Sequence, residues 1–262
     1  MLTEKQVFHF KTFGFLVMRQ VFTPDEVATL NAEFESKLES AYAHMPFDGT
    51  KRHWVPMLSS DTPLFAGLLE DSRFSEPAEQ LYGDDVFGIV CDANRYVGDT
   101  RWHPDTKSHH QYGVKFAFYL EPVGAETGAL RVLPGSHKQP LHEELRQARE
   151  EDRLELAEMP AYVCESEPGD VVAFDRRTWH ASLGGAEDRR MSTLVYYNYP
   201  KTPEEETVTR EQANSNADTF VQFGLPPQPK YPAEWVANPT GHSKRAKWIE
   251  TMRELKFIRS DS

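Results

Sequence analysis

The chain of 262 residues reads as a mainly β protein with flanking α-helices. Short apolar segments bounded by turn residues recur between residues 86 and 199, as expected of strands packed face to face. Helix-start signals and helical apolar spacing fall before that region, in one charged segment within it, and in the tail.

The elements follow in order. Thr3-Glu4-Lys5-Gln6 is a capping box that opens a short helix with Val7, Phe8 and Phe10 on its apolar side. Phe15-Leu16-Val17-Met18 is a strand. Thr23-Pro24-Asp25-Glu26 repeats the start signal, with proline at the first helical position and acid in the first turn. Val27, Leu30, Phe34, Leu38 and Tyr42 then recur at helical spacing, so this helix packs on the sheet. Residues 45–60 read as loop, and a helical stretch spans 63–82. Strands are expected at 86–91, 92–98, 114–121, 128–133, 161–165, 171–175 and 189–199. Between them, Leu141–Leu156 is rich in Glu and Arg and reads as a solvated surface helix, with His142 facing solvent. From Pro200 the prolines mark a tail that wraps the core and ends in a helix near 243–255. The length fits one domain over 1–262: a helical part at about 1–85, the strand core at about 86–200, and an extension at about 201–262.

The chemistry is concentrated in Trp102-His103-Pro104-Asp105 and, 75 residues beyond Asp105, Trp179-His180. Two imidazoles and one carboxylate make a facial triad that holds Fe(II) and leaves positions open. In an extended segment residues i and i+2 share a face, so His103 and Asp105 can reach one metal while Trp102 points away into packing. The third ligand must come from a distant strand. After His180, Gly184-Gly185 and the charged residues that follow read as a turn, and Arg190 onward as a strand. Arg190 and Ser192 share a face and together offer a guanidinium fork and a hydroxyl to a carboxylate, the pattern for a bound 2-oxo acid. Arg189 is the rival, but its i+2 neighbour is Met191. His109 and His110 compete for the metal without a carboxylate two residues away, and His137 reads as structural. Lys107, Tyr112 and Lys115 are weaker candidates for the mouth of the site.

Ordered motifs extend this reading. Val97-Gly98-Asp99-Thr100 precedes the triad's first half; Phe116-Ala117-Phe118-Tyr119-Leu120-Glu121-Pro122 follows it. Thr127-Gly128-Ala129-Leu130-Arg131-Val132-Leu133-Pro134-Gly135-Ser136-His137 and Pro168-Gly169-Asp170-Val171-Val172-Ala173-Phe174-Asp175 come next. In this order, over roughly residues 3–200, the chain resembles the phytanoyl-CoA dioxygenase family of non-haem Fe(II)/2-oxoglutarate oxygenases. The resemblance implies a double-stranded β-helix (jelly-roll, cupin-like) core and Fe(II) on His103, Asp105 and His180. It also implies 2-oxoglutarate at the Arg189/Arg190 region and O2 as second co-substrate. Related halogenases carry a small residue where this chain has Asp105, so the carboxylate argues for hydroxylation, with desaturation, ring closure and epimerisation left open. Many relatives carry Asn shortly after the distal His, where this chain has Leu183-Gly184-Gly185.

Composition excludes other classes. The net charge of −12 argues against nucleic-acid or anionic-membrane surfaces. No apolar run approaches the ~20 residues of a membrane span, and Glu4, Lys5 and Lys11 interrupt any signal peptide. Cys91 and Cys164 sit in apolar surroundings and read as reduced core residues of a cytoplasmic enzyme. The expected partner is a small-molecule substrate, with Lys107, His109 and His110 favouring an anionic one. Two further readings stay open: a cupin-like metalloenzyme that does not use 2-oxoglutarate, and a catalytically silent binding protein of the same fold.

Overall fold

In the computed structural model, which describes residues 1–185, 188–215 and 219–258, two antiparallel sheets face each other. The strands are β1 (Phe15–Met18), β2 (His53–Pro56), β3 (Phe87–Tyr96), β4 (Thr100–His103), β5 (Gly113–Tyr119), β6 (Leu130–Val132), β7 (Tyr162–Cys164), β8 (Val171–Asp175), β9 (His180–Ser182) and β10 (Arg189–Tyr197). One sheet has the order β1-β8-β5-β10-β3-β2 and the other β4-β9-β6-β7, the double-stranded β-helix that the resemblance implies.

The helices are α1 (Glu4–Phe13), α2 (Pro24–Ala41), α3 (Pro63–Gly67), α4 (Ser72–Tyr82), α5 (Leu141–Glu150), α6 (Pro203–Ser215), α7 (Thr219–Gln222), α8 (Ala233–Ala237) and α9 (Ser243–Glu254). Both expected capping boxes form: the Thr3 and Thr23 hydroxyls accept from the Gln6 and Glu26 amides, and those side chains return the bond.

Strand alternation sorts the core into layers. Phe116, Phe118, Leu194 and Tyr196 face outward from the larger sheet and pack with Leu30, Phe34, Phe65, Phe74, Trp248 and Met252 of the helices. Phe118 meets Phe22 at 4.9 Å between ring centroids, and Tyr196 meets Trp248 edge-on. Ala117, Tyr119, Val172, Phe174 and Met191 face inward and meet Leu130, Val132 and Cys164 of the smaller sheet. The smaller sheet's outer face carries Trp102, Trp179 and Ala181, which pack with Leu133 and with Leu145 of α5. Both cysteines are buried and unpaired. Among the described residues, no helix is long and apolar enough to cross a membrane.

Several expectations need correction. Residues 45–60 contain β2, which pairs with β3; the pattern hid it because only His53–Pro56 is extended. The two strands expected at 86–91 and 92–98 are one, since β3 pairs along its length with β10, with one register shift between Val195 and Tyr196. The helix at 141 stops at Glu150. His142 is fully buried rather than solvent-facing, with Nδ1 3.1 Å from the Arg177 carbonyl, because α5 turns that face onto the smaller sheet. Phe8, expected on the apolar side of α1, is exposed. Residues 186–187 of the expected turn lie outside the described residues.

Phe118→Ala should lower unfolding stability by about 3–5 kcal/mol, the usual cost of a large cavity, while Phe8→Ala should stay within about 0.5 kcal/mol. Urea denaturation followed by circular dichroism checks both.

Candidate active site

The pairing of β4 with β9 places His103 directly opposite His180, with ring centroids 4.3 Å apart. Asp105 lies just past β4. Its amide donates to the Arg176 carbonyl at 2.9 Å, and its Oδ1 stands 3.7 Å from His180 Nε2. One ligand atom from each of the three residues lies within 4.8 Å of the others, the sole such His/Cys/Asp/Glu group among the described residues. His109 and His110 stand outside it.

The backbone sets the imidazole tautomers. His103 Nδ1 is 2.8 Å from the Arg101 carbonyl and His180 Nδ1 is 2.9 Å from the Thr178 carbonyl. Each Nδ1 therefore carries the proton, and each Nε2 lone pair is free toward a metal. Burial lowers both histidines, His180 to about 3, so both are neutral ligands at physiological pH. Burial alone would raise Asp105, but Lys115, His180 and His103 together hold it below the usual carboxylate range. Lys115 reaches inward from β5, with Nζ 3.0 Å from Asp105 Oδ2. The donor set, its mutual distances and its burial fit a divalent metal of the Fe(II) kind.

A rigid turn supports these groups. The Asp175 carboxylate accepts from the Arg177 amide at 2.8 Å, from its guanidinium at 2.9 and 2.6 Å, and from the Tyr82 hydroxyl at 2.7 Å. The Thr178 hydroxyl donates to the Gly14 carbonyl, and the Trp179 amide to Ser136 Oγ. Gly14 ends α1 with φ of +83°, and a Cβ there would overlap His137 and Thr178. Arg177 also stacks on Tyr112 at 4.2 Å, away from the triad, and Lys107 is exposed.

The expected carboxylate anchor needs correction. Arg190 and Ser192 lie on the outer face of β10. Arg190 Nε donates to Glu121 at 2.9 Å, and its Nη1 reaches Asn31 at 3.0 Å and Glu35 at 3.1 Å on α2. Ser192 is fully buried beneath the helices. The pair does share a face, as expected; the face is the wrong one, because the register sets Arg189, and not Arg190, opposite Tyr96. Arg189 is 3% exposed and faces the space between the sheets, stacked over Tyr96 at 5.2 Å. Its Nε and Nη1 are buried with no hydrogen-bond partner among the described residues. Gly128 and Gly185 cradle it, for a Cβ at either would overlap Nη1.

Sequence reasoning also missed Arg176, which is 2% exposed. It stacks on Tyr197 at 3.6 Å and donates through Nη2 to the Asp105 carbonyl at 3.3 Å. The available signal was its place two residues past inward-facing Phe174, whose ring meets His180 at 4.8 Å.

A jelly-roll that gathers two imidazoles, one carboxylate and an unpaired arginine in its interior has the architecture of a non-haem iron oxygenase. The family model for Phytanoyl-CoA dioxygenase (PhyH) matches residues 10–191. The chain belongs to the phytanoyl-CoA dioxygenase family and is an Fe(II)- and 2-oxoglutarate-dependent oxygenase. It is 28% identical over 234 residues to an ectoine dioxygenase of Stutzerimonas stutzeri, covering 76% of this chain and 77% of that protein. An ectoine dioxygenase of Sphingopyxis alaskensis is 24% identical, with 75% and 76% covered. Among solved structures, HygX from Streptomyces hygroscopicus with nickel and 2-oxoglutarate bound superposes with a TM-score of 0.62 at 21% identity, covering 76% and 87% of the two chains. EctD from S. alaskensis with 2-oxoglutarate and 5-hydroxyectoine gives 0.59 at 22%, covering 76% and 77%.

Burial lowers His180 to about 3 and His109 to about 4, and also lowers His53, His103, His137 and His142. Groups with depressed folded values keep the folded state favoured above the unfolded value near 6.5 and lose that contribution as pH falls. The metal-free protein should therefore destabilise from about pH 6.5 downward, by about 1.4 kcal/mol per pH unit for each fully unmatched proton. His180→Gln should flatten that slope in thermal melts between pH 7 and 4.

Proposed function

We propose that this enzyme hydroxylates a C–H bond of a small molecule, with His103, Asp105 and His180 as metal ligands and Arg189 as the 2-oxoglutarate anchor. One atom of O2 enters the substrate and the other enters succinate, as 2-oxoglutarate loses CO2. The metal, when bound, supplies the redox chemistry that activates O2. The observation that carries this reading is the convergence of three ligand atoms whose imidazoles are fixed in the metal-binding tautomer.

The chain's own groups have distinct tasks. Lys115 ties Oδ2 of Asp105 and leaves Oδ1 turned toward His180. Arg189 offers a buried, unpaired fork to the distal carboxylate of 2-oxoglutarate, in a low-dielectric setting where that pairing is strong. Tyr96 stacks beneath it, and buried Tyr119 lies across the strand pair from Met191. Phe174 shields the His180 edge of the site from water. A carboxylate at position 105 occupies the place that a halide would need, which favours hydroxylation. Ectoine, the compound in the relatives' names, is a first substrate to test.

Anaerobic addition of 2-oxoglutarate to the Fe(II)-loaded protein should produce a weak visible charge-transfer band. His103→Ala should abolish metal binding and the band. Arg189→Ala should raise the 2-oxoglutarate concentration needed for half the band by at least about tenfold, in line with the ~1.5–3 kcal/mol of a hydrogen bond to a charged group. Arg190→Ala should leave that concentration within about twofold and instead lower the melting temperature by loosening α2. The reverse order for the two arginines would reject the assignment.

A further inference from the structure

Tyr96 carries two cations. Arg189, opposite it in the register with β10, stacks on the ring at 5.2 Å. Arg52 immediately precedes β2 and stacks on the same ring at 3.9 Å. β2 and β10 flank β3 on its two sides, so the two guanidinium groups reach Tyr96 from opposite directions.

Neutral groups hold Arg52 in this place. Its Nε donates to Asn94 Oδ1 at 3.1 Å, and its Nη2 donates to the same oxygen. Asn94 Nδ2 donates in turn to Asp92 Oδ1 at 3.0 Å, and Asp92 also accepts from Trp54 Nε1 and from the Thr193 amide and hydroxyl. The other ring against Arg52 is Phe223, at 4.8 Å, from the C-terminal extension. Phe223 stacks on Trp54 at 5.6 Å, and its carbonyl accepts from the Tyr42 hydroxyl at 3.1 Å. His44 Nε2 lies 3.1 Å from the next carbonyl, that of Gly224. A continuous stack thus runs from Phe223 through Arg52 and Tyr96 to the buried fork of Arg189.

A flat guanidinium between two aromatic faces keeps both rings in register with it, which a flexible ammonium does not. Two cations sharing one ring also repel each other when water is scarce. A carboxylate on Arg189 offsets that repulsion, so the stack is tightest with the anion bound. Loss of Phe223 would let Arg52 leave the ring, and Tyr96 would then no longer fix the Arg189 fork. A coupling of this kind is reciprocal.

We propose that Arg52 and Phe223 are positioning residues for 2-oxoglutarate, and that the C-terminal extension sets co-substrate affinity through Tyr96. The assignment rests on the reading of Arg189 as the co-substrate anchor and deepens it.

The test is anaerobic titration of the full-length, Fe(II)-loaded protein with 2-oxoglutarate, followed by the visible charge-transfer band. Phe223→Ala and Arg52→Gln should each raise the half-saturating concentration about fivefold, or ~1 kcal/mol, while Fe(II) affinity measured without 2-oxoglutarate stays within about twofold. Phe223→Tyr keeps a ring over Arg52 and should restore the wild-type value. Arg52→Lys keeps the charge without the plane and should behave as Arg52→Gln does. Hydrogen exchange gives the reciprocal readout and needs no variant to fold: 2-oxoglutarate should slow amide exchange across residues 220–225 of the Fe(II)-loaded wild type. An unchanged half-saturating concentration in Phe223→Ala, an equal loss in Phe223→Tyr, Fe(II) affinity that falls in step, or exchange indifferent to 2-oxoglutarate would overturn the positioning role alone. A wild type without the band, or Arg189→Ala titrating as the wild type does, would reject the anchor reading and the positioning role with it.

Discussion

Buried charge governs the interior of this jelly-roll. Between the sheets Phe15, Val172, Leu130 and Val132 pack in one apolar cluster, and ionised groups are buried beside it. Removing such groups from water costs several kcal/mol each unless they are paired or fully hydrogen-bonded. Asp105 meets Lys115, and Asp92 is saturated by neutral donors. Arg189 and Arg176 are left incompletely satisfied against tyrosine faces. That imbalance is positive, and it suits a site whose ligands are anions.

The second constraint is mechanical. The turn between β8 and β9 leads into His180 and also supplies the carbonyl that holds the Asp105 amide. Its shape is imposed by Asp175, which accepts from the Arg177 backbone and side chain and from Tyr82 on α4. The helical layer, through Tyr82, thereby helps set the relative position of Asp105 and His180. Ligand sites held by such supporting hydrogen bonds keep geometry to the fraction of an ångström that a metal demands.

The outer face of the same sheet shows the cost of a different choice. Arg190 links β10 to α2 through Asn31 and Glu35, and to the β5 side through Glu121. Its neighbour Arg189 differs by one position and enters the interior. Adjacent residues of one strand thus face opposite ways, Arg190 to the helices and Arg189 to the interior, separated by the pleat alone.

The sequence by itself determined the secondary elements with strong local signals and the three side chains that converge as candidate metal donors. Both capping boxes, the apolar face of α2, and the His103-x-Asp105 pair with His180 were legible because each depends on spacing within one segment. What tertiary structure decided was which side of a strand faces the interior. Arg190 looked the better anchor because Ser192 shares its face, yet strand periodicity states that two residues lie together without stating where. Only the pairing of β10 with β3 and β5 turns Arg189 inward. Local patterns encode alternation, and long-range packing assigns it a direction.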